Sequence, residues 1–168
     1  MTTIYFAYYS SPIGVLEIAG TTTAITAVNF VDAAPAQYET HPLTQATREQ
    51  LDAYFRHRRE TFDLPLEPEG TSFQRRVWQE LLTVPYGRLL TYQDVADALG
   101  NPKATRAVGA ANGQNPIPII IPCHRVVGAD GSLTGFGGGI TVKRWLLLHE
   151  GADLRDVDGE GNQFALPF

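Results

Sequence analysis

Apolar and polar positions alternate along the opening stretch of the chain and then change to helical spacing. Ile4-Tyr5-Phe6-Ala7-Tyr8-Tyr9, Val15-Leu16-Glu17-Ile18-Ala19 and Ala24-Ile25-Thr26-Ala27-Val28-Asn29-Phe30 read as three strands. Ser11-Pro12-Ile13-Gly14 and Gly20-Thr21 supply the turns between them. Strands this closely spaced predict an antiparallel meander. Asp32 to His41 is a polar loop with alanine and proline. Thr44 to His57 predicts a helix with Leu51, Tyr54 and Phe55 on one face, and Arg56, Arg58 and Arg59 suit its C-terminal end. Thr61 to Leu66 predicts a returning strand. His41 and His57 lie in polar, exposed surroundings and carry no assignment.

Glu67-Pro68-Glu69-Gly70 marks a domain boundary, which divides the chain into residues 1–70, 71–151 and an acidic, glycine-rich tail, 152–168. The tail from Gly151 on is expected to be poorly ordered. Thr71 with Gln74 makes a capping box for a helix carrying Phe73, Val77, Trp78, Leu81 and Leu82 at helical spacing. Pro85-Tyr86-Gly87 breaks it. Thr91 caps a short helix, Tyr92 to Leu99, with Val95, Ala96 and Leu99 inward. Gly100 ends that helix, Asn101-Pro102 opens the next, and Lys103 to Ala111 is rich in small residues. Two short helices around a tight glycine turn form a helix-turn-helix candidate, with Lys103 and Arg106 near the start of the second. An ordinary helix pair fits the same pattern. Gly128-Ala129-Asp130-Gly131-Ser132 predicts a hairpin turn. Gly135-Phe136-Gly137-Gly138-Gly139 lacks the Gly-Lys-Ser/Thr ending of a phosphate loop and instead allows close approach of backbone to a flat ligand. A last helix starts at Thr141, with Val142, Trp145, Leu146 and His149 on one stripe, and closes at Glu150.

Composition adds little: 43% hydrophobic and 18% charged residues describe an ordinary soluble protein. No apolar run approaches the roughly 20 residues that span a bilayer. The first residues lack the basic stretch of a secretory signal, and one cysteine suits a reducing cytoplasm. Charge changes the picture more. The net charge is −5, but Ser72 to His149 carries eight Lys/Arg against four Asp/Glu, and the remainder five against fourteen. The basic part suits a phosphate backbone, with the acidic remainder facing away. Sequence drift without function would give a similar imbalance.

Cys123 is the only cysteine. It can form no internal disulfide, and alone it cannot build a thiolate-rich zinc site. It is either a small packed hydrophobe or a nucleophile. Pro116, Pro118 and Pro122 make Asn115–Ile121 a poor strand and a poor helix, so the run reads as a stiff extended connector that delivers Cys123 to a fixed place. In an extended chain Cys123 and His124 point to opposite sides, so a histidine base would act through a water and need an orienting partner.

Asn115-Pro116-Ile117-Pro118-Ile119-Ile120-Ile121-Pro122-Cys123-His124-Arg125-Val126-Val127-Gly128 resembles the active-site signature of the O6-alkylguanine-DNA alkyltransferases. The likeness extends over Thr71–Gly151. It takes in Val84-Pro85-Tyr86-Gly87, Thr91-Tyr92, Asn101-Pro102-Lys103-Ala104, Arg106-Ala107-Val108-Gly109 and Lys143-Arg144-Trp145-Leu146-Leu147. Ser11-Pro12-Ile13-Gly14 matches more loosely. The resemblance implies an α/β fold: a ribonuclease-H-like α/β domain, then a winged helix-turn-helix that binds DNA through the minor groove and flips the damaged guanine out. It implies that Cys123 accepts the alkyl group, that His124 deprotonates it through a water, that Glu150 orients His124, and that Asn115 holds the active-site turn. Tyr92 would contact the flipped base, and Arg106 would fill the gap in the stack. Lys103 would reach DNA beside it, and the backbone of Cys123, Val126 and Gly137 would bond the guanine edge. The partner implied is double-stranded DNA containing O6-alkylguanine, with O4-alkylthymine as a second substrate. One copy of the chain would act, or copies assembling cooperatively on DNA, with no membrane and no cofactor. The thioether product has no resolving partner, so each molecule acts once.

Two departures matter. Some members of that family carry zinc in the N-terminal domain; with its one cysteine assigned, this chain is expected to hold no metal. Phe136 stands where the family often has tyrosine, which removes a hydroxyl from the pocket rim. Two other readings compete: a binding module that recognises alkylated DNA without accepting the alkyl group, which Cys123 argues against, and a thiol hydrolase using Cys123 and His124.

Overall fold

A computed structural model of the chain describes residues 2–133, 136 and 138–154. The chain divides into two compact units, Met1–Glu69 with Pro116–Ile120, and Gly70–Asn115 with the residues from Ile121 on. The division is therefore not purely sequential, because the proline-rich run belongs to the first unit.

In the first unit, β1 (Tyr5–Ser11), β2 (Gly14–Gly20) and β3 (Ile25–Val31) form an antiparallel sheet in that order. The register runs from Tyr5 opposite Gly20 to Ser11 opposite Gly14, and from Val15 opposite Val31 to Gly20 opposite Ile25. Ala7, Leu16, Ile18 and Val28 are buried, as are Leu51, Tyr54 and Phe55 of helix α1 (Pro42–Phe55), which packs on β1 and β2. That helix begins two residues before the expected Thr44, because Pro42 occupies its first turn and His41 caps it. His41 Nδ1 accepts from the Leu43 N–H at 3.1 Å, so this histidine is half-buried and structural. The helix stops at Phe55, before the arginines, and His57 adopts a left-handed φ of 58°. The expected strand 61–66 reduces to a single parallel bridge between Leu66 and Ile25. Pro65 and Pro68 flank it and supply no N–H to extend a ladder. The same edge of β3 is met by Pro116, whose carbonyl accepts the Val28 N–H at 2.9 Å.

The second unit contains α2 (Ser72–Leu81), β4 (Leu90–Thr91), α3 (Tyr92–Ala98), α4 (Thr105–Gly113), β5 (Val126–Val127) and α5 (Ile140–His149). Capping boxes are present at Thr71 and Thr91. Trp78 of α2 is buried and donates its indole N–H to the Ala111 carbonyl of α4 at 2.9 Å. Gly70 passes so close over this indole that a Cβ there would meet the ring at 2.5 Å. The expected helix from Lys103 to Ala111 is divided: a 3-10 turn covers Pro102–Ala104, and α4 follows without a side-chain cap. Gly100, at φ 75°, turns the chain between α3 and this turn. β4 and β5 pair in parallel, Leu90 with Val126 and Thr91 with Val127.

Helix α5 corrects the expected stripe. Its buried residues are Lys143, Arg144, Leu146 and Leu147, while Val142, Trp145 and His149 are only half-buried, with the last two rings stacked at 4.9 Å. Two long basic side chains hold core positions there, which a count of apolar residues does not reveal. Packing also continues past Gly151: Ala152 and Leu154 join Val127, Leu133 and Leu147 in one apolar cluster, so the expected disordered tail does not begin there. Residues 155–168 lie outside the described residues. No helix among the described residues is long and apolar enough to cross a membrane.

Candidate active site

The turn that carries Cys123 is not extended. Pro122, at φ −82° and ψ 64°, sits at the centre of an inverse γ-turn, closed by the Cys123 N–H on the Ile121 carbonyl at 2.8 Å. Cys123–Arg125 then forms a 3-10 turn, with the Arg125 N–H on the Pro122 carbonyl at 3.0 Å. The expectation of an extended connector fails here because proline favours the γ-turn geometry as readily as the strand. It fails earlier too: Ile119 has a φ of 74°, an outlier for a β-branched residue.

Two asparagines hold this turn, Asn112 in the last turn of α4 and Asn115 just beyond its end. Asn112 Nδ2 donates to the Cys123 carbonyl at 3.2 Å, and Asn115 Nδ2 donates to the Ile121 carbonyl at 2.8 Å. Cys123 itself is 2% exposed. Burial raises its thiol pKa, while the Asn115 amide, the charge of Lys143 and the local backbone pull the other way. A thiol in that position needs a partner to take its proton.

His124 is fully buried, and its Nε2 lies 2.7 Å from Glu150 Oε2. Burial holds the ring's pKa below the usual value, against the opposing pull of Glu150 and with added push from Arg125 and Lys143. A neutral imidazole has one N–H and one lone pair. The carboxylate accepts, so the N–H is on Nε2 and the lone pair is on Nδ1. Nδ1 has no hydrogen-bond partner among the described residues, the Cys123 thiol included. The ring is thus oriented as a base, with its acceptor uncommitted.

Glu150, 5% exposed at the end of α5, collects four donors. These are His124 Nε2, Arg125 Nε at 2.8 Å, Arg125 Nη2 at 3.0 Å and the Gly87 N–H at 3.3 Å. Burial alone would raise its carboxyl pKa, but His124 and Arg125 outweigh it and hold the group well below the usual carboxylate range. The loop Val84-Pro85-Tyr86-Gly87 completes this cage. The Val84 carbonyl accepts from Arg125 Nη1 at 2.7 Å, the Tyr86 ring lies 5.7 Å from the guanidinium carbon, and Gly87 turns with φ 77°.

Of the other expected site residues, Tyr92 opens α3 and is buried. Its hydroxyl is 3.5 Å from Lys143 Nζ, which also donates to the Val126 carbonyl at 2.6 Å. Burial lowers the Lys143 pKa to about 8. The Val126 carbonyl accepts from Lys143, while the Cys123 carbonyl accepts from both Asn112 Nδ2 and the Val126 N–H, which engages both of its lone pairs. Lys103 and Arg106 are exposed on the 3-10 turn and α4, beside Ala107 and Ala110. Phe136 is half-buried; Gly137 lies outside the described residues. The basic count also contracts, since Arg125, Lys143 and Arg144 are buried and only the other five basic side chains of 72–149 can meet a backbone phosphate. Sequence reasoning missed Asn112, Arg125 and Lys143. Arg125 and Lys143 lie inside the matched motifs, and their charge at positions flanked by core residues was the available signal. No cluster of three or more potential metal ligands occurs among the described residues.

Comparison with known proteins is consistent across the chain. Residues 4–68 match the ribonuclease-like domain of 6-O-methylguanine DNA methyltransferase, and residues 72–152 match its DNA-binding domain. A methylated-DNA–protein-cysteine methyltransferase of Methanosarcina acetivorans is 44% identical over 155 residues, 89% of this chain and 99% of the relative. One from Haemophilus influenzae is 46% identical over 89% of this chain and 88% of its own length. The crystal structure of Mycobacterium tuberculosis O6-methylguanine methyltransferase superposes with a TM-score of 0.79 at 45% identity, covering 88% of this chain and 93% of the other. Mycobacterium tuberculosis OGT in complex with DNA gives 0.76 at 47% identity, over 85% of this chain and 91% of the other. With both of its domains matched and close relatives along most of its length, the chain belongs to the 6-O-methylguanine DNA methyltransferase family.

Proposed function

We propose that this protein repairs double-stranded DNA by moving the alkyl group of O6-alkylguanine onto Cys123. The observation that carries the reading is a buried Cys123 followed in sequence by a buried imidazole whose Nε2–H is committed to Glu150 and whose Nδ1 has no partner among the described residues. His124 takes the thiol proton through a water. The thiolate attacks the alkyl carbon in line, the S–C bond forms, the C–O6 bond breaks, and the guanine leaves as an anion that is then protonated. Glu150 stabilises the imidazolium as it forms. Asn115 and Asn112 hold the turn so that the sulfur stays aimed.

Residues 71–151 bind the DNA and carry out the transfer, and residues 1–70 form the ribonuclease-like domain. The exposed start of α4 meets the duplex, with Lys103 on phosphate and Arg106 in the place of the flipped base. Flipping costs a few kcal/mol of unstacking, which an inserted side chain partly offsets. Tyr92, Phe136 and the backbone of Cys123, Val126 and Gly137 receive the guanine. O4-alkylthymine is a second substrate. The protein acts as a monomer, with side-by-side assembly on DNA at high loading, in the reducing cytoplasm that a free thiol requires. It acts once, because nothing in the chain cleaves the thioether.

Intact-mass measurement after mixing with duplex DNA carrying O6-methylguanine tests this. Gain of one methyl per chain, mapped to Cys123 and without further turnover, is the expected result. An unchanged mass with retained binding would make the protein a recognition module, and catalytic turnover with an unmodified chain would make it a hydrolase.

A further inference from the structure

Arg125 has no assigned role in the transfer reaction, yet all three of its guanidinium nitrogens are committed within the site. Its Nε and Nη2 grip the two oxygens of Glu150 at 2.8 and 3.0 Å, and Nη1 is anchored on the Val84 carbonyl at 2.7 Å. This is a two-pronged guanidinium–carboxylate contact, which fixes the plane of the carboxylate as well as its charge. The same Oε2 that Nη2 holds is the one 2.7 Å from His124 Nε2.

Geometry makes this consequential. A lone buried carboxylate this close to an imidazole favours the imidazolium. An imidazolium has a proton on Nδ1 and no lone pair, so it cannot take a proton from the thiol. A base at this position therefore needs Glu150 close enough to fix the tautomer and neutralised enough not to protonate the ring. Arg125 meets both demands, because its guanidinium presents a rigid fork of donors and a positive charge to both carboxylate oxygens. We propose that Arg125 is a positioning residue for alkyl transfer: by holding both oxygens of Glu150 it fixes the carboxylate against His124 Nε2 and keeps the imidazole an unprotonated base.

This rests on the reading of His124 as the base. The charged groups acting on the ring are Glu150 and Lys143 from α5 and its end, and Arg125 from its own turn. Tyr86 lies against Arg125 on the far side, and the buried face of α2 that packs on the turn is Val77, Trp78 and Leu81, with no ionisable group. Arg125 holds both oxygens of the carboxylate, so its removal exposes the ring to a less compensated anion. An arginine kept merely for packing would leave the ring's titration alone.

The test follows His124 by 15N-histidine NMR, assigned with His124→Gln, and the single-turnover rate of methyl transfer from duplex DNA, both from about pH 5 to about pH 9. In Arg125→Gln the ring is expected to titrate about one unit or more higher, and the acid limb of the rate profile to move with it. The rate then falls about tenfold or more near the wild-type limb and recovers as pH rises. Arg125→Lys keeps a cation without the two-pronged grip, and gives a smaller shift in the same direction. It decides the matter alone if the glutamine variant does not fold. An unmoved His124 titration in the folded variants overturns the proposal. A ring that titrates higher while the rate profile stays put instead sinks the reading of His124 as the base.

Discussion

Replacing Glu150 by glutamine is the sharpest perturbation of this site, because the change is nearly isosteric and strikes the carboxylate shared by His124 and Arg125. The carboxylate accepts from His124 and Arg125 on Oε2 and from Arg125 and Gly87 on Oε1. An amide can present only one oxygen. Whichever way it is turned, its NH2 faces donors, and the buried Arg125 guanidinium loses its counter-charge. Breaking a buried pair from one side costs about 3–5 kcal/mol, or roughly 6–20 °C in Tm for a chain of this size. The chemistry suffers separately. If the amide NH2 faces His124, the imidazole relieves the clash by moving its proton from Nε2 to Nδ1, which consumes the base. Loss of a positioned base costs about 100- to 10,000-fold in rate. Chemical denaturation and single-turnover transfer, measured on the same preparations, read the two effects independently.

The pH dependence has a definite sign. The folded carboxyl of Glu150 titrates below its unfolded value, so its stabilisation is present above about pH 4.3 and is lost as pH falls through the folded value. His124, also held low, adds stability above about pH 6.5 that is lost on acidification in the same sense. The glutamine variant lacks the carboxylate contribution, so its deficit against wild type narrows as pH drops below about 4. A variant within about 1 kcal/mol of wild type at neutral pH, or a deficit unchanged by acid, would refute the account of Glu150 as the hub of the buried charges.

Three further outcomes are expected. Cys123→Ser abolishes methyl transfer but keeps DNA affinity, as gel-shift and mass measurements together would register; transfer near the wild-type rate would remove the nucleophile assignment. Arg106→Ala slows repair of duplex DNA far more than reaction with free O6-benzylguanine, since its side chain is exposed on α4 and the buried turn is held by Asn112 and Asn115 instead; equal slowing with both substrates would contradict a role in base replacement. Phe136→Tyr speeds the single-turnover step by about two- to tenfold without tightening DNA binding, the worth of about one hydrogen bond, 0.5–1.5 kcal/mol, to the leaving guanine; an unchanged or slower rate at saturating protein leaves Phe136 as a wall of the pocket.

Local rules made much of this architecture legible. The three strands, the capping boxes at Thr71 and Thr91, and the helix pair around Gly100 follow from turn residues and spacing. Cys123 and His124 stood out by residue type and by the long signature around them. What stayed hidden depends on tertiary partners. The γ-turn at Pro122 cannot be told from an extended proline without the Asn115 amide that donates to the Ile121 carbonyl. Lys143 and Arg144 look like the solvent face of α5, and a helical wheel places them there; their burial follows from acceptors supplied elsewhere, such as the Val126 carbonyl. Arg125 resembles a DNA contact in a basic region, and only the position of Glu150, 25 residues later in sequence, turns it inward.

That inward placement bears on the proton transfer proposed above. Before transfer, the thiol and the imidazole are both neutral. Moving the proton from Cys123 to His124 creates an anion and a cation in a buried site, where separated charges are costly. Each new charge appears beside a fixed opposite one. The thiolate feels Lys143, whose own pKa is in turn raised by Cys123, and the imidazolium meets Glu150 at 2.7 Å. With its pKa near 8, Lys143 is mostly protonated at neutral pH, so the cation is in place before the proton moves. In the role proposed for it, Arg125 keeps Glu150 from drawing that proton out of solvent instead of from the thiol. The two buried cations thus divide the work: one favours the thiolate, and the other reserves the base for it. A site organised this way needs no low thiol pKa in the resting protein, because the charges that stabilise the ion pair are arranged around the transition state.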